Sequence, residues 1–448
     1  MKRLLVALLL VPGWASAATY YVDCNANGDA GAGTGTGAAV AWKTIGKVNG
    51  SSFSAGDSVL FNKGCTWGET LYTTNSGSAG NPITYGAYGT GVAPIIDGGT
   101  ARAIIVGINH SYVTFEDLRL TGSTYVGFWV NDGGDGSTAK SNSITIQDCV
   151  IDTMQVGVLI YGDNWTIARN TFHTLQGQGI ETRDWTGKHS ANFLIEHNVF
   201  RDQTDGIADE GGIMIDGDTF MTNADYSSGI IRYNLFERLH GRGVDVVSGA
   251  TQVYYNVFMD IQDGAGGSGV AIELNGTGLA CYNNSIYNVQ NIGVMVNDNG
   301  PDPAVQAIVK NNIVSAATAN HLIWITNNAG LTPTIDNNVY LSGGTKFYWK
   351  GTDYTFTNWK TQSGGDAASA EADPLFLSSS DFRLRAGSPA INAGVSVGLT
   401  SDRSGTWIRG LPDIGAYEYL ALGQAAMGAN YYPTPVVAPS TTRFYPPQ

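Results

Sequence analysis

The sequence predicts an all-β solenoid of stacked parallel strands, and three observations predict it. The first is a recurring phrase. Arg169-Asn170-Thr171-Phe172 returns as His197-Asn198-Val199-Phe200, Tyr233-Asn234-Leu235-Phe236 and Tyr255-Asn256-Val257-Phe258. Looser copies stand at Asn283-Asn284-Ser285-Ile286, Asn311-Asn312-Ile313-Val314 and Asn337-Asn338-Val339-Tyr340, with an Asp version at Asp117 and Asp148. These Asn and Asp positions are 22 to 36 residues apart, a constant unit with irregular insertions, which marks a stacked repeat. The second observation is period-2 alternation inside each copy. Runs such as Ile144-Thr145-Ile146 and Phe193-Leu194-Ile195 precede the Asn, and Gly157-Val158-Leu159-Ile160 and Gly243-Val244-Asp245-Val246 follow it. Short Val- and Ile-rich alternations bounded by Gly, Asn and Asp argue strand, and the spacing leaves no room for the helix of a βαβ unit. The third is composition. With 59 Gly in 448 residues, 43% hydrophobic and only 14% charged, the chain suits many turns around a long, narrow core.

The elements follow in order. Residues 1–17 have the form of an export signal: Met1-Lys2-Arg3, an apolar run from Leu4 to Val11, and Ala15-Ser16-Ala17 as the cleavage site. That run is too short to span a bilayer. Residues 18–100 form an N-terminal cap and the first coils, with a short helix expected around Trp42-Lys43-Thr44-Ile45 to cover the open end of the core. Residues 101–372 carry the repeats, and the recurring Asn should stack into a ladder, its amide bonding the coils above and below. Residues 373–420 read as a C-terminal closure, and 421–448 as a flexible Ala/Pro/Tyr-rich tail without periodicity.

Removing Lys2 and Arg3 leaves 22 basic against 38 acidic side chains, a net charge of −16. Such a surface disfavours nucleic acid and anionic membranes as partners. Cys24 and Cys65 both precede the repeats and can pair in an oxidising compartment. Cys149 and Cys281 fall in coils about 24 Å apart along the axis at the strand spacing, too far to bridge, so they are expected as buried thiols.

The Tyr20-Tyr21-Val22-Asp23 start, Trp42-Lys43-Thr44-Ile45, Ala55-Gly56-Asp57-Ser58-Val59, Gly80-Asn81-Pro82-Ile83-Thr84 and the Asp413-Ile414-Gly415-Ala416-Tyr417 ending resemble secreted bacterial right-handed parallel β-helix proteins. That group includes polysaccharide lyases and glycoside hydrolases. The resemblance covers nearly the whole mature chain. It implies an all-β, right-handed parallel β-helix with a short N-terminal capping helix, an extracellular or periplasmic location, and a polysaccharide as partner, with the chain acting as a monomer.

Stacking the copies on the Gly that opens the post-turn strand exposes a candidate site. Two residues after that Gly stand Trp129, Leu159, Glu181, Met214, Asp245, Ala271 and Met295; four after it stand Asn131, Tyr161, Arg183, Asp216, Val247, Glu273 and Asn297. Both sets point outward. Glu181, Asp216, Asp245 and Glu273 thereby share one outer face within four coils, with Trp129 and Tyr161 toward the N-terminal end. In this alignment Asp245 has a diagonal acidic neighbour on each adjacent coil, so carboxyl separations of about 5 to 10 Å span both glycosidase geometries. Asp245 is the expected central residue, the better buried of the Asp216/Glu273 pair the expected acid, and Arg183 and Arg242 the expected ligands for hydroxyls or a carboxylate. The same carboxylates are also compatible with an ordinary solvated strand face. His173 and His240 read as turn residues. A second acidic cluster, Asp205, Asp209, Glu210, Asp218 and Asp225, reads as a loop rimming the cleft and offers oxygen ligands to Ca²⁺, which the chemistry does not require.

Glycoside hydrolysis by carboxylate acid/base chemistry is the expected activity. A lyase acting on uronates is the alternative. It needs a basic residue, and Lys140, Lys188 and Lys310 fall in loops or before the turn, leaving Arg183 and Lys188. The Asn-Thr-Asp, Asp-Asp, Gly-His-Gly and Arg-Ile-Lys motifs of polygalacturonases are absent, as is the Asp-Pro-His motif of alginate epimerases. A non-catalytic surface protein that binds glycans along its groove is the third reading.

Overall fold

The computed structural model describes residues 16–99, 102–130, 139–182, 190–204, 211–215, 228–247, 249–264, 269–276, 278–297, 306–316, 319–328 and 330–421. The expected signal segment lies almost wholly outside these residues. Each coil crosses three sheets, as in Thr166–Ala168, Thr171–His173 and Gln178–Thr182. The three sheets, called first, second and third in the order a coil visits them, contain 12 strands each. Strands of successive coils pair in parallel throughout, apart from a terminal hairpin joining Phe347–Trp349 to Thr352–Tyr354 in the third sheet. The architecture is a parallel β-helix. No helix among the described residues is long and apolar enough to cross a membrane.

The corner between the first and second sheets carries the asparagine ladder. Asn170 donates from its backbone N–H (2.9 Å) and its Nδ2 (3.0 Å) to Asn198 Oδ1. The same pair of bonds links Asn198 to Asn234, Asn234 to Asn256, Asn256 to Asn284, Asn284 to Asn312 and Asn312 to Asn338. Each amide also donates to a main-chain carbonyl, Asn198 to Ile167 and Asn234 to Ile195. Burying an unsatisfied amide costs a few kcal/mol, and this geometry leaves none.

The sharp turn is made one residue earlier than expected. Arg169, His197, Tyr233, Tyr255, Asn283, Asn311 and Asn337 all have φ between 49° and 59°. Asp117 and Asp148 belong to this left-handed row (φ 58° and 54°), not to the ladder. Asp and Asn tolerate that conformation because a short polar side chain bonds locally. The ladder row in those first coils holds Leu118 and Cys149, and Cys149 N–H donates to Asn170 Oδ1 at 2.9 Å.

Inside the tube, Phe172, Phe200, Phe236 and Phe258 stack with centroids 4.7, 4.9 and 4.5 Å apart and planes within 5°. Their rings explain the repeated glycine. A Cβ on Gly157, Gly179, Gly212 or Gly243 would lie 2.6–2.7 Å from a carbon of the stacked Phe ring.

Both ends are sealed. At the N-terminus, Thr44 caps the helix Ile45–Asn49, which buries Ile45 and Val48. Trp42 stacks on Tyr20, and Cys24 is bonded to Cys65. Cys149 and Cys281 are separate, buried thiols. At the C-terminus, the helix Phe356–Ser363 buries Trp359 beside Phe347. Trp359 Nε1 and Tyr340 Oη donate to Asp366, which also accepts from Asn338 Nδ2 and terminates the ladder. The segment from Asp373 onward lies along the helix rather than across its end. Phe376, Phe382, Leu384, Ala390, Ile414 and Ala416 pack on Val257, Met259, Ile313 and Val339, covering the outer side of the second sheet. Arg403 of this strap reaches back to the Asn234 carbonyl at 3.0 Å.

Candidate active site

From the strand ending at Glu116 to the strand starting at Val339, two residues separate each first-sheet strand from the second-sheet strand that follows it, whereas the connections into and out of the third sheet vary in length. The ladder corner accepts no insertions, because one extra residue there would break two hydrogen bonds per coil. The variable lengths therefore collect on the two margins of one sheet, where binding faces of repeat proteins lie.

The register of that sheet sets Trp129, Leu159, Glu181, Met214, Asp245, Glu273, Met295, Trp324 and Tyr348 side by side in one outward row. This corrects the expected alignment at one coil. Glu273 pairs directly with Asp245, not diagonally, because Ala271 rather than Gly269 occupies the place beside Gly243. A slip of two residues keeps every side chain on its own face, so alternation cannot detect it. The ring that crowds each of the four glycines is replaced beside Ala271 by Ile286, where a Cβ is accommodated.

Asp245 and Glu273 are consequently neighbours about 4.8 Å apart at the backbone. Both are buried, at 7% and 5% exposure. Arg242 Nε donates to Glu273 Oε2 at 2.7 Å and lies 3.5 Å from Asp245 Oδ2. Two oxygens that close to one nitrogen are at most about 6 Å apart, inside the limit at which an inverting pair still admits its water. Asn297 Nδ2 donates to the other oxygen, Glu273 Oε1, at 2.9 Å. Desolvating two carboxylates costs several kcal/mol per ion, and the shared guanidinium offsets part of that cost.

The remaining expected residues distribute along the row. Glu181 is two coils from Asp245, half-buried, with Met214 between them. Trp129 is four coils away, with the Arg102 guanidinium 3.6 Å from its ring centroid, so one ring face is covered. Tyr161 is buried at the margin, with Lys140 Nζ 5.9 Å from its ring. Asp216, Arg183 and Lys188, and the acidic residues Asp205, Asp209, Glu210, Asp218 and Asp225, lie outside the described residues.

Three neighbours of the pair were not anticipated in these places. Asn297 was aligned on the face but not as a ligand of Glu273. Trp324 and Tyr348 extend the row beyond Met295, their rings stacked 3.7 Å apart with His321 against Trp324. Alignment on glycine does not reach them, since Leu322 and Lys346 stand where the glycine would be.

Comparison with known proteins bears on the frame. The family described as "Right handed beta helix region" matches residues 136–278. No curated protein matches the sequence. Among solved structures, a GH136 lacto-N-biosidase from Eubacterium ramulus superposes with a TM-score of 0.57 at 14% identity, covering 74% of this chain and 65% of that one. The chain thus spans about two thirds of the biosidase's length. XylC, solved with xylose, gives a TM-score of 0.53 at 12% identity over 90% of this chain and 98% of its own. Pectate lyase Pel9A gives 0.50 at 15% identity over 91% and 98%. At these identities the likeness is one of fold: the chain is a right-handed parallel β-helix.

Proposed function

We propose that this protein is an exported carbohydrate-active enzyme that hydrolyses a neutral or weakly charged polysaccharide lying along the third sheet. The observation that carries this reading is the buried Asp245–Glu273 pair sharing Arg242 on adjacent coils. The short separation favours a retaining double displacement. Burial does not separate the two carboxyls, so their distances from Arg242 assign the roles. Glu273 is fixed by two donors, Arg242 and Asn297, which hold it aimed for attack on the anomeric carbon. Asp245, farther from Arg242, is assigned to protonate the leaving oxygen as the glycosidic bond breaks, and then to take a proton from the water that releases the sugar from Glu273. The solved neighbours that act on or hold saccharides support a glycan as substrate. The Cys24–Cys65 bond supports an oxidising, extracytoplasmic location.

A lyase reading has a pectate lyase among the neighbours in its favour. It would require a base, and Arg242, in the described part of this face, is already engaged with Glu273. Reducing-sugar release and absorbance near 235 nm, followed together over a panel of neutral and uronate polysaccharides, separate the two. Hydrolysis without the absorbance change is expected. Asp245→Asn should lower kcat by about 10²–10⁴-fold with unchanged thermal unfolding. A wild-type rate in that variant sinks the assignment, and an unsaturated product moves it to the lyase.

A further inference from the structure

The strap over the second sheet contains a site of its own. The loop from Thr400 to Ile408 is pinned from beneath by the buried Asp402, which accepts hydrogen bonds from the backbone N–H groups of Ser404 (2.8 Å), Thr406 (2.7 Å) and Glu418 (2.7 Å). Trp407 sits on this loop and is 60% exposed. An apolar ring is not left in water by accident of packing here, because the loop that presents it is held at both ends: Ile408 N–H also bonds the Thr400 carbonyl at 3.0 Å.

Trp407 lines two cavities. One, of about 460 Å³, is lined by Trp407, Asn392, Thr406, Arg409, Asp413 and Glu418. The other, of about 250 Å³, is lined by Trp407, Tyr255 and Asn283 among others. Tyr255 is fully buried, and its hydroxyl has no hydrogen-bond partner among the described residues. Buried hydroxyls without partners are rare in folded proteins.

We propose that these two cavities form a glycan-binding site, with a neutral saccharide lying across Trp407 and one sugar unit on either side. A sugar ring has an apolar C–H face and a rim of hydroxyls. The indole matches the first; Asn392, Thr406, Arg409 and Glu418 line the larger cavity with donors and acceptors for the second. Burial, and then the neighbouring Asp413, push the Glu418 carboxyl up to about 8, so at neutral pH it carries a proton it can donate. Asp413 stays committed to the backbone N–H groups of Asn392 and Tyr419. With Asp413 and Arg409 both in the lining, the cavity does not favour an anionic ligand. The site faces away from the third sheet and is independent of the chemistry proposed there; the two together would tether and cut the same polymer.

Isothermal titration calorimetry on the full chain carrying Asp245→Asn tests this with xylohexaose, cellohexaose, mannohexaose and, separately, calcium chloride. At least one hexaose should bind, and Trp407→Ala should weaken one binding event at least tenfold, as should Arg409→Ala. Both residues are exposed, so the variants should unfold like their parent. Binding that neither variant alters overturns the proposal, as does the absence of heat with every hexaose, or calcium heat that Trp407→Ala or Arg409→Ala removes. Loss of hydrolysis without loss of Trp407-dependent binding would indict the groove and leave this site standing.

Discussion

The ladder corner and the third sheet's outer row are built by one stacking operation and use it in opposite ways. At the corner seven coils repeat one residue, because each Asn Oδ1 accepts from the coil before it and any other side chain breaks the chain of bonds. Along the row nine successive coils present Trp, Leu, Glu, Met, Asp, Glu, Met, Trp and Tyr. Nothing in the frame dictates an outward side chain, so that position is free to carry chemistry. Repetition marks what holds the tube together. Departure from repetition marks what the tube is for.

The comparison breaks most easily at the corner. Asn234→Ala removes an acceptor for two donors of Asn198 and a donor to Ile195 and Asn256 at once. About 3 kcal/mol of stability should go, from the cost of buried polar groups left unpaired. Chemical denaturation reads this directly, and a loss under about 1 kcal/mol would mean that the ladder is ornament.

A smaller effect sharpens the register. Gly243→Ala drives a Cβ to 2.5 Å from the Ala271 carbonyl oxygen and 2.7 Å from Phe258. Overpacking of this kind costs about 1–3 kcal/mol, whereas Ala271→Gly, with no ring above it, should cost less than about 1 kcal/mol. Equal effects at the two positions would contradict the pairing that sets Asp245 beside Glu273.

The smallest effect contrasts acids that have a cation with acids that do not. On the third sheet Arg242 serves both carboxylates. Under the strap, Glu418 is acted on by Asp413 and Asp402, both acidic, and its carboxyl is pushed up to about 8 by burial and these neighbours. A carboxyl whose folded value is raised stabilises the fold fully below its unfolded value, near 4.5, and loses that contribution as pH rises through about 8. Measured as protection relative to each amide's intrinsic exchange rate, residues 390–420 should therefore lose protection as pH rises from about 4.5 through about 8 while the third sheet's strands keep theirs, and Glu418→Gln should flatten the dependence. Protection that falls equally in both places would show that the strap and the tube open as one unit.

Legibility in the sequence tracked repetition closely. The strands, the ladder residues from Asn170 to Asn312, the disulfide and the capping helix were all readable, because each rests on a local pattern or on the axial distance between coils. The errors were errors of phase. Asp117 and Asp148 stand one residue before the ladder row, since Asp suits the left-handed turn as well as Asn suits the ladder. Glu273 stands two residues from its place in the glycine alignment, since Gly269 and Ala271 are both small and in phase with the alternation. Trp324 and Tyr348 escaped because their coils lack the glycine used for alignment.

What the sequence by itself determined is the operation: turn at a left-handed residue, stack an asparagine, alternate inward and outward, and repeat. Period and polarity are enough for that, because backbone hydrogen bonding allows few ways to close such a coil. What only the tertiary structure decided is which coil stands against which. The ring above Gly243 and the smaller Ile286 above Ala271 choose the register, and through it bring Asp245 and Glu273 to one arginine. It likewise lays the strap along the second sheet, where Arg403 meets a carbonyl 169 residues away. Both outcomes depend on shape between segments far apart in the chain, and no local pattern encodes shape.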